Sequence, residues 1–244
     1  MKIASPCLIF TLSMICLSLI APTEAVPVRV LNAITGSTPL QVWVNSELAF
    51  EHARFAQFTT FLNISSGTYS VDVSRFDNGQ SLFVNESFVL EDGDQRTLVL
   101  QGSITDAKYP LTIVSVLDEI PTGVASVARF YEAAIQSPPL NVIFNGETVA
   151  QNLLYPSYTP YYSSTASTIN MNLINSETGL DFVAPLHLSV SESSSANNYL
   201  VGNSTWGWQL LTTTAKSGPD IPHFNSGASL AASMFLIALT FLVL

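Results

Sequence analysis

Residues 28–45 read VRVLNAITGSTPLQVWVN, and residues 128–145 read ARFYEAAIQSPPLNVIFN. At this shift of 100 residues Arg29, Ala33, Ser37, Pro39, Leu40, Val42 and Asn45 recur as Arg129, Ala133, Ser137, Pro139, Leu140, Val142 and Asn145. FAQFTTF at 55–61 meets YPSYTPY at 155–161, and every aromatic position stays aromatic. Gly79 meets Gly179, and Gly102 meets Gly202. Such a period is too long for a solenoid, so each copy is expected to be a whole domain. The expected units are 26–120 and 125–214, with EIPTGV at 119–124 as a Pro- and Gly-containing hinge.

Within a copy the dominant period is two. In GTYSVDVSRF (67–76), Tyr69, Val71 and Val73 alternate with Ser70, Asp72 and Ser74, as a half-buried strand requires. Leu40, Val42 and Val44 repeat the pattern, and SLFVNESFVL, RTLVLQGS and PLTIVSVL supply further strands. Asn145-Gly146 is a hairpin signal because both residues tolerate positive φ, and Asp92-Gly93 is read as a second one. The expected fold class is all-β: two tandem Ig-like antiparallel β-sandwiches, flanked by an N-terminal signal peptide and a C-terminal hydrophobic tail.

The segments V-R-V, P-L-x-V-x-V-N, F-x-x-F and S-G-T-Y-S-V-D-V are similar to the tandem secreted domains collected as domain-of-unknown-function family 4397. The resemblance covers nearly all of 27–215 and is closer in the first copy; in the second, Ala166-Ser167-Thr168-Ile169 replaces Gly-Thr-Tyr. It implies paired Ig-like sandwiches on one exported chain and carries over no activity. Family members often place a His–Ala–Ser–Pro–Asp stretch after the first strand. Here Asn32 and Glu132 stand at the His position, and the Asp is absent.

The two ends speak for export. Lys2, an apolar stretch from Leu8 to Ile20 and Thr23-Glu24-Ala25 form a secretory signal, with cleavage expected after Ala25. The apolar run is shorter than the roughly 20 residues of a membrane span. Both cysteines, Cys7 and Cys16, fall inside that signal. The mature chain is therefore expected to hold its fold by burial alone, without disulfides, thiol chemistry or cysteine metal sites. Its formal charge stays at −10, which repels phosphate backbones and makes nucleic acid a poor partner.

At the other end, Ala228 to Leu244 gives 17 uncharged residues with no Lys or Arg behind them as a stop signal. Small residues precede this run, the pattern of a glycosylphosphatidylinositol attachment signal whose tail is removed. Asn225 is the expected attachment residue, Ser226 the alternative, and 215–227 the stalk and attachment region. The rival reading is a retained single-pass span beneath a two-domain ectodomain. Either way the expected location is the extracellular side of the cell membrane, reached by the secretory pathway.

Catalytic chemistry finds little footing. His52, His187 and His223 are unclustered, and no G-x-S-x-G elbow is present, so no catalytic residue, cofactor or metal is expected. LEDGDQ at 90–95 lacks the spacing and closing Glu of a calcium loop and is read as a charged turn. LLYPSYTPYY, from Leu153, is read as core or interface packing in preference to a sugar platform, because phenylalanines fill the matching places in the first copy. Trp206 and Trp208 have no aromatic counterpart at Asp106 and Lys108, which makes them the candidate ligand contact. Asn63, Asn85 and Asn203 head N-x-S/T sequons, and Asn85 and Asn203 are expected to be the more accessible. The leading expectation is a non-enzymatic surface protein, structural, adhesive or cell-wall-associated. The alternative is a module binding an extracellular glycan or small ligand.

Overall fold

The computed structural model describes residues 25–118, 123 and 125–216. The signal peptide, most of the hinge, the attachment residues Asn225 and Ser226, His223 and the hydrophobic tail lie outside the described residues. Among the described residues, no helix is long and apolar enough to cross a membrane.

All regular elements described are strands. The first half contains β1 (Ala25–Thr35), β2 (Leu40–Val44), β3 (Glu47–Ala53), β4 (Leu62–Ser65), β5 (Gly67–Arg75), β6 (Ser81–Leu90), β7 (Arg96–Ser103) and β8 (Thr112–Leu117). The second contains β9 (Ser126–Glu132), β10 (Leu140–Phe144), β11 (Glu147–Leu153), β12 (Ser157–Tyr158), β13 (Tyr162–Ser164), β14 (Thr168–Asn175), β15 (Leu186–Ser189), β16 (Ser194–Asn203) and β17 (Gly207–Lys216). Ala215 and Lys216, expected in the stalk, are strand residues paired with Ser195 and Ser194.

Each half forms two sheets. The first half has β4-β1-β7-β8 and β3-β2-β5-β6; the second has β12-β9-β16-β17, with β13 also on β9, and β11-β10-β14-β15. Registers coincide at the same 100-residue shift: Val28 pairs Arg96 as Ala128 pairs Ala196, and Leu40 pairs Arg75 as Leu140 pairs Asn175.

The sheets are not wholly antiparallel, contrary to expectation. β1 runs parallel to β7, and β9 parallel to β16. The reason lies in their burial. β1 is buried at every position after Ala25, and β9 and β16 at every position, the pattern of strands covered on both faces. Asp92-Gly93 is likewise no hairpin. It follows β6 and precedes β7, which belong to different sheets, so the chain crosses between layers there. Asn145-Gly146 does close a hairpin, with φ of 48° and 84°.

Burial on both faces has one geometric cause. Val28, Val30, Leu98 and Leu100 point into the first half's core, and Phe130, Ala196 and Leu200 into the second's. The intervening residues Leu31, Ala33 and Val99 meet Tyr131, Ala133, Tyr199 and Val201 in a third cluster. The inner sheets of the two halves thus pack face to face, giving four layers. Outward faces of β2–β5 and β10–β14, and the connecting turns, remain for contact with other molecules.

Candidate functional site

The seam between halves carries the densest polar network described. Asp118, fully buried, follows β8. Its Oδ2 accepts from Arg29 Nη2 at 3.3 Å and Thr97 Oγ1 at 2.7 Å, and its Oδ1 from Asn197 Nδ2 at 3.1 Å and Tyr199 OH at 3.3 Å. Arg29 also donates to Thr97 at 2.9 Å and, across the seam, to Thr213 at 2.8 Å. Its guanidinium lies over Phe58 and Phe61, 4.5 and 4.6 Å from the ring centroids. In the second half Arg129 lies over Tyr161 and Tyr158 at 4.3 and 5.5 Å and donates to the Leu117 carbonyl at 2.7 Å. The aromatic segments at 55–61 and 155–161 therefore serve the interface, and the recurring arginines are their cationic partners. A buried carboxylate with all four lone-pair sites engaged holds a structure together and offers nothing to a substrate.

Glu132 stands where the first half has Asn32, and both side chains serve the backbone. Glu132 Oε1 accepts from the Ala134 N–H at 2.8 Å, as Asn32 Oδ1 accepts from Ile34 at 3.0 Å. Glu132 Oε2 has no hydrogen-bond partner among the described residues. Burial pushes the carboxyl up to about 8. Nearby Tyr155, facing Tyr109 edge-on at 5.7 Å, is pushed up to about 12 by burial. Burial raises the Tyr131 and Tyr199 hydroxyls further still.

The tryptophan pair separates. Trp206 stands 66% exposed at the tip of the β16–β17 hairpin, whereas Trp208 packs inward with its ring 4.9 Å from Phe182. Trp206 is thus the more exposed of the two, and Trp208 is partly buried against the second half's core. The sequons also depart from expectation. Asn203 is 7% exposed, and its Oδ1 accepts the N–H groups of Thr205 and Trp206, closing the turn. Ser103 does the same for Thr105 and Asp106 in the first half. Asn63, on β4, and Asn85, on β6, are exposed.

His187 meets Asn170 at 2.5 Å, and His52 lies against Phe76 with centroids 4.0 Å apart; both are exposed and far apart in the fold. In the LEDGDQ turn Asp94 accepts from Arg96 at 2.7 Å. Among the described residues no three His, Cys, Asp or Glu side chains gather as a metal would need.

One surface feature escaped the sequence reading. On the outward face of β3-β2-β5-β6, Trp43, Ser46, Asp72, Val73, Ser74 and Ser81 line an open groove of about 260 Å³. Trp43 pairs with Asp72 across strands, and the exposed Leu48 flanks it on β3. Its signal was present in PLQVWVN, where Trp43 occupies the outward phase between Val42 and Val44. An indole face beside hydroxyls and a carboxylate suits a ligand with both C–H faces and hydroxyl groups.

Among solved structures the chain is similar to the crystal structure of CBMbc, a family CBM26 module from Eubacterium rectale Amy13K in complex with maltoheptaose. The match has 12% identity and a TM-score of 0.25, over 82% of this chain and 100% of that one. No curated protein matches the chain. Residues 26–128, which hold the whole first half, match the family model described as Domain of unknown function (DUF4397).

Proposed function

We propose that this is a non-enzymatic glycoprotein of the outer cell surface whose two Ig-like sandwiches act as one rigid structural or adhesive body. The reading includes a cleaved signal peptide, two tandem domains and a glycosylphosphatidylinositol group at Asn225, with Ser226 the alternative. The observation that carries it is the seam. Two inner sheets packed face to face, with Asp118 bonded across their seam, favour a spacer that presents its outer sheets at a set geometry. An enzyme would be expected to keep its polar constellation open to substrate. The experiment is release from intact cells by a phosphatidylinositol-specific phospholipase C. Appearance in the supernatant supports the anchor. Retention, with a C-terminal peptide containing Leu244 found by mass spectrometry, establishes a single-pass span instead.

The second reading is a surface module that binds an extracellular glycan. Trp206, 66% exposed at a hairpin tip, favours it, since exposed indoles are common anchors of recognition. Released protein on a glycan array tests it. Binding that Trp206→Ala abolishes would promote this reading over the first, and an array without hits would retire it.

A further inference from the structure

We propose that the groove at Trp43 is the seat of the protein's own N-glycan, attached at Asn85, which folds back over the outer sheet instead of standing free in solvent. The proposal rests on the exported-glycoprotein reading above.

Asn85 is held beside the groove by its backbone. Pairing of β5 with β6 slips between Val71 and Val73, opposite Glu86 and Phe83, so a bulge forms there. Within it Asn85 adopts a left-handed φ of 57°, and its N–H donates to Asp72 Oδ1 at 2.6 Å. Asp72 itself lines the groove. The attachment residue is therefore bonded directly to the groove wall. One strand separates Asn85 from Asp72's partner Trp43, and neighbouring strands lie about 4.8 Å apart. A saccharide core leaving Asn85 spans that gap within its first few sugars.

The chemistry of the trough matches such an occupant. An indole packs against the apolar face of a pyranose, Asp72 accepts from sugar hydroxyls, and Ser46, Ser74 and Ser81 both donate and accept. An apolar peptide would offer no donor to the Asp72 oxygen that Asn85 leaves open, and an anionic ligand would meet a chain of net charge −10. Covalent attachment also removes the entropy of bringing the sugar in, so a shallow groove suffices.

The second half provides an internal comparison. At the shift of 100 residues Ile143, Asn172 and Pro185 replace Trp43, Asp72 and Asn85. Aromatic face, carboxylate and sequon are lost together. Asn63, the other exposed sequon, lies on β4 in the other sheet, away from the groove.

The test is a thermal-stability cycle on the full chain purified from a glycosylating secretory host. Ser87→Ala removes the sequon while keeping Asn85 and its contacts. Trp43→Ile installs the residue that the second half carries in the same strand. Ser87→Ala is expected to lower the melting midpoint of the wild type by about 2–4 °C and to leave that of Trp43→Ile unmoved. Ser65→Ala, which removes the Asn63 sequon, is expected to show no dependence on Trp43. Equal losses with and without Trp43 would overturn the proposal. Glycopeptide mapping separates its failure from that of the parent reading. Asn63 occupied with Asn85 bare defeats the proposal alone, and both bare defeats the exported-glycoprotein reading as well. If added maltooligosaccharides or chitooligosaccharides quench Trp43 fluorescence in the Ser87→Ala protein but the cycle shows no coupling, the groove belongs to an external sugar and the proposal falls.

Discussion

Arg29 and Asp118, 89 residues apart, meet at 3.3 Å with almost no solvent access, and residues of the second half complete the bonding of each. Asp118 immediately precedes the linking segment. Asp118 is thus pinned by Arg29 of its own half and by Asn197 and Tyr199 of the second. A freely swinging pair of domains would break these bonds.

Breaking this pair from one side should be costly. Asp118→Asn leaves the Arg29 charge buried without its counter-ion, and the expected loss is about 3–5 kcal/mol. Urea denaturation of the full chain checks it, and the two halves should still unfold in one transition in the wild type.

Glu132 predicts a pH dependence with a definite sign. Its folded value of about 8 lies above the ordinary carboxyl value of about 4.3. Between the two, the unfolded chain has released the proton while the folded chain keeps it. Stability is therefore full below the lower value and falls as pH rises towards the upper, with a slope of at most about 1.4 kcal/mol per pH unit. Glu132→Gln mimics the protonated group and should flatten this part of the curve. Denaturant midpoints at mildly acidic, neutral and alkaline pH provide the comparison.

Sequon occupancy should follow accessibility. Glycopeptide mass spectrometry of the exported protein is expected to find sugar on Asn63 and Asn85 and none on Asn203, whose amide is locked into a turn. A glycan on Asn203 would mean that the hairpin tip folds differently.

The two tryptophans should part company on mutation. Trp208→Ala removes a ring packed on Phe182 and is expected to cost about 3 kcal/mol. Trp206→Ala should change stability by less than about 0.5 kcal/mol. Thermal unfolding of both variants decides.

Much of the strand inventory was readable because alternation at Val71 and Val73, or Val42 and Val44, states which side faces the core. What alternation does not encode is the identity of the neighbouring strand. Asp92-Gly93 satisfies any turn that needs positive φ, so the same dipeptide served a crossing between sheets. Parallel pairing of β1 with β7 had a sign in the sequence: Leu31 and Val99 are apolar in the phase that should face water. The aromatic repeat divides in its use: Phe58 packs against the seam cluster, while Tyr158 is 56% exposed. The repeat's pairing with Arg29 and Arg129 was hidden, because cation and rings lie a strand apart. The low exposure of Asn203 is not legible in the sequence, since a sequon and a turn-closing Asn are the same residue type, and Ser103 in the other half is the sign of the turn-closing role. The groove at Trp43 has no motif in the sequence, because one outward tryptophan carries none.

The seam also bears on assembly. Equivalent faces meet there, Arg29 with its phenylalanines on one side and Arg129 with its tyrosines on the other, which is the arrangement of a two-fold homodimer. Carrying both faces on one polypeptide makes their pairing independent of concentration and fixes its stoichiometry. It also frees each face to diverge, since a substitution no longer appears twice. Asp118 of the first half bonds both Asn197 and Tyr199 across the seam, Glu132 stands where the first half has the amide of Asn32, and Ile143 and Asn172 stand where it has Trp43 and Asp72. A single-domain relative that kept the symmetric face would be expected to associate in pairs through it.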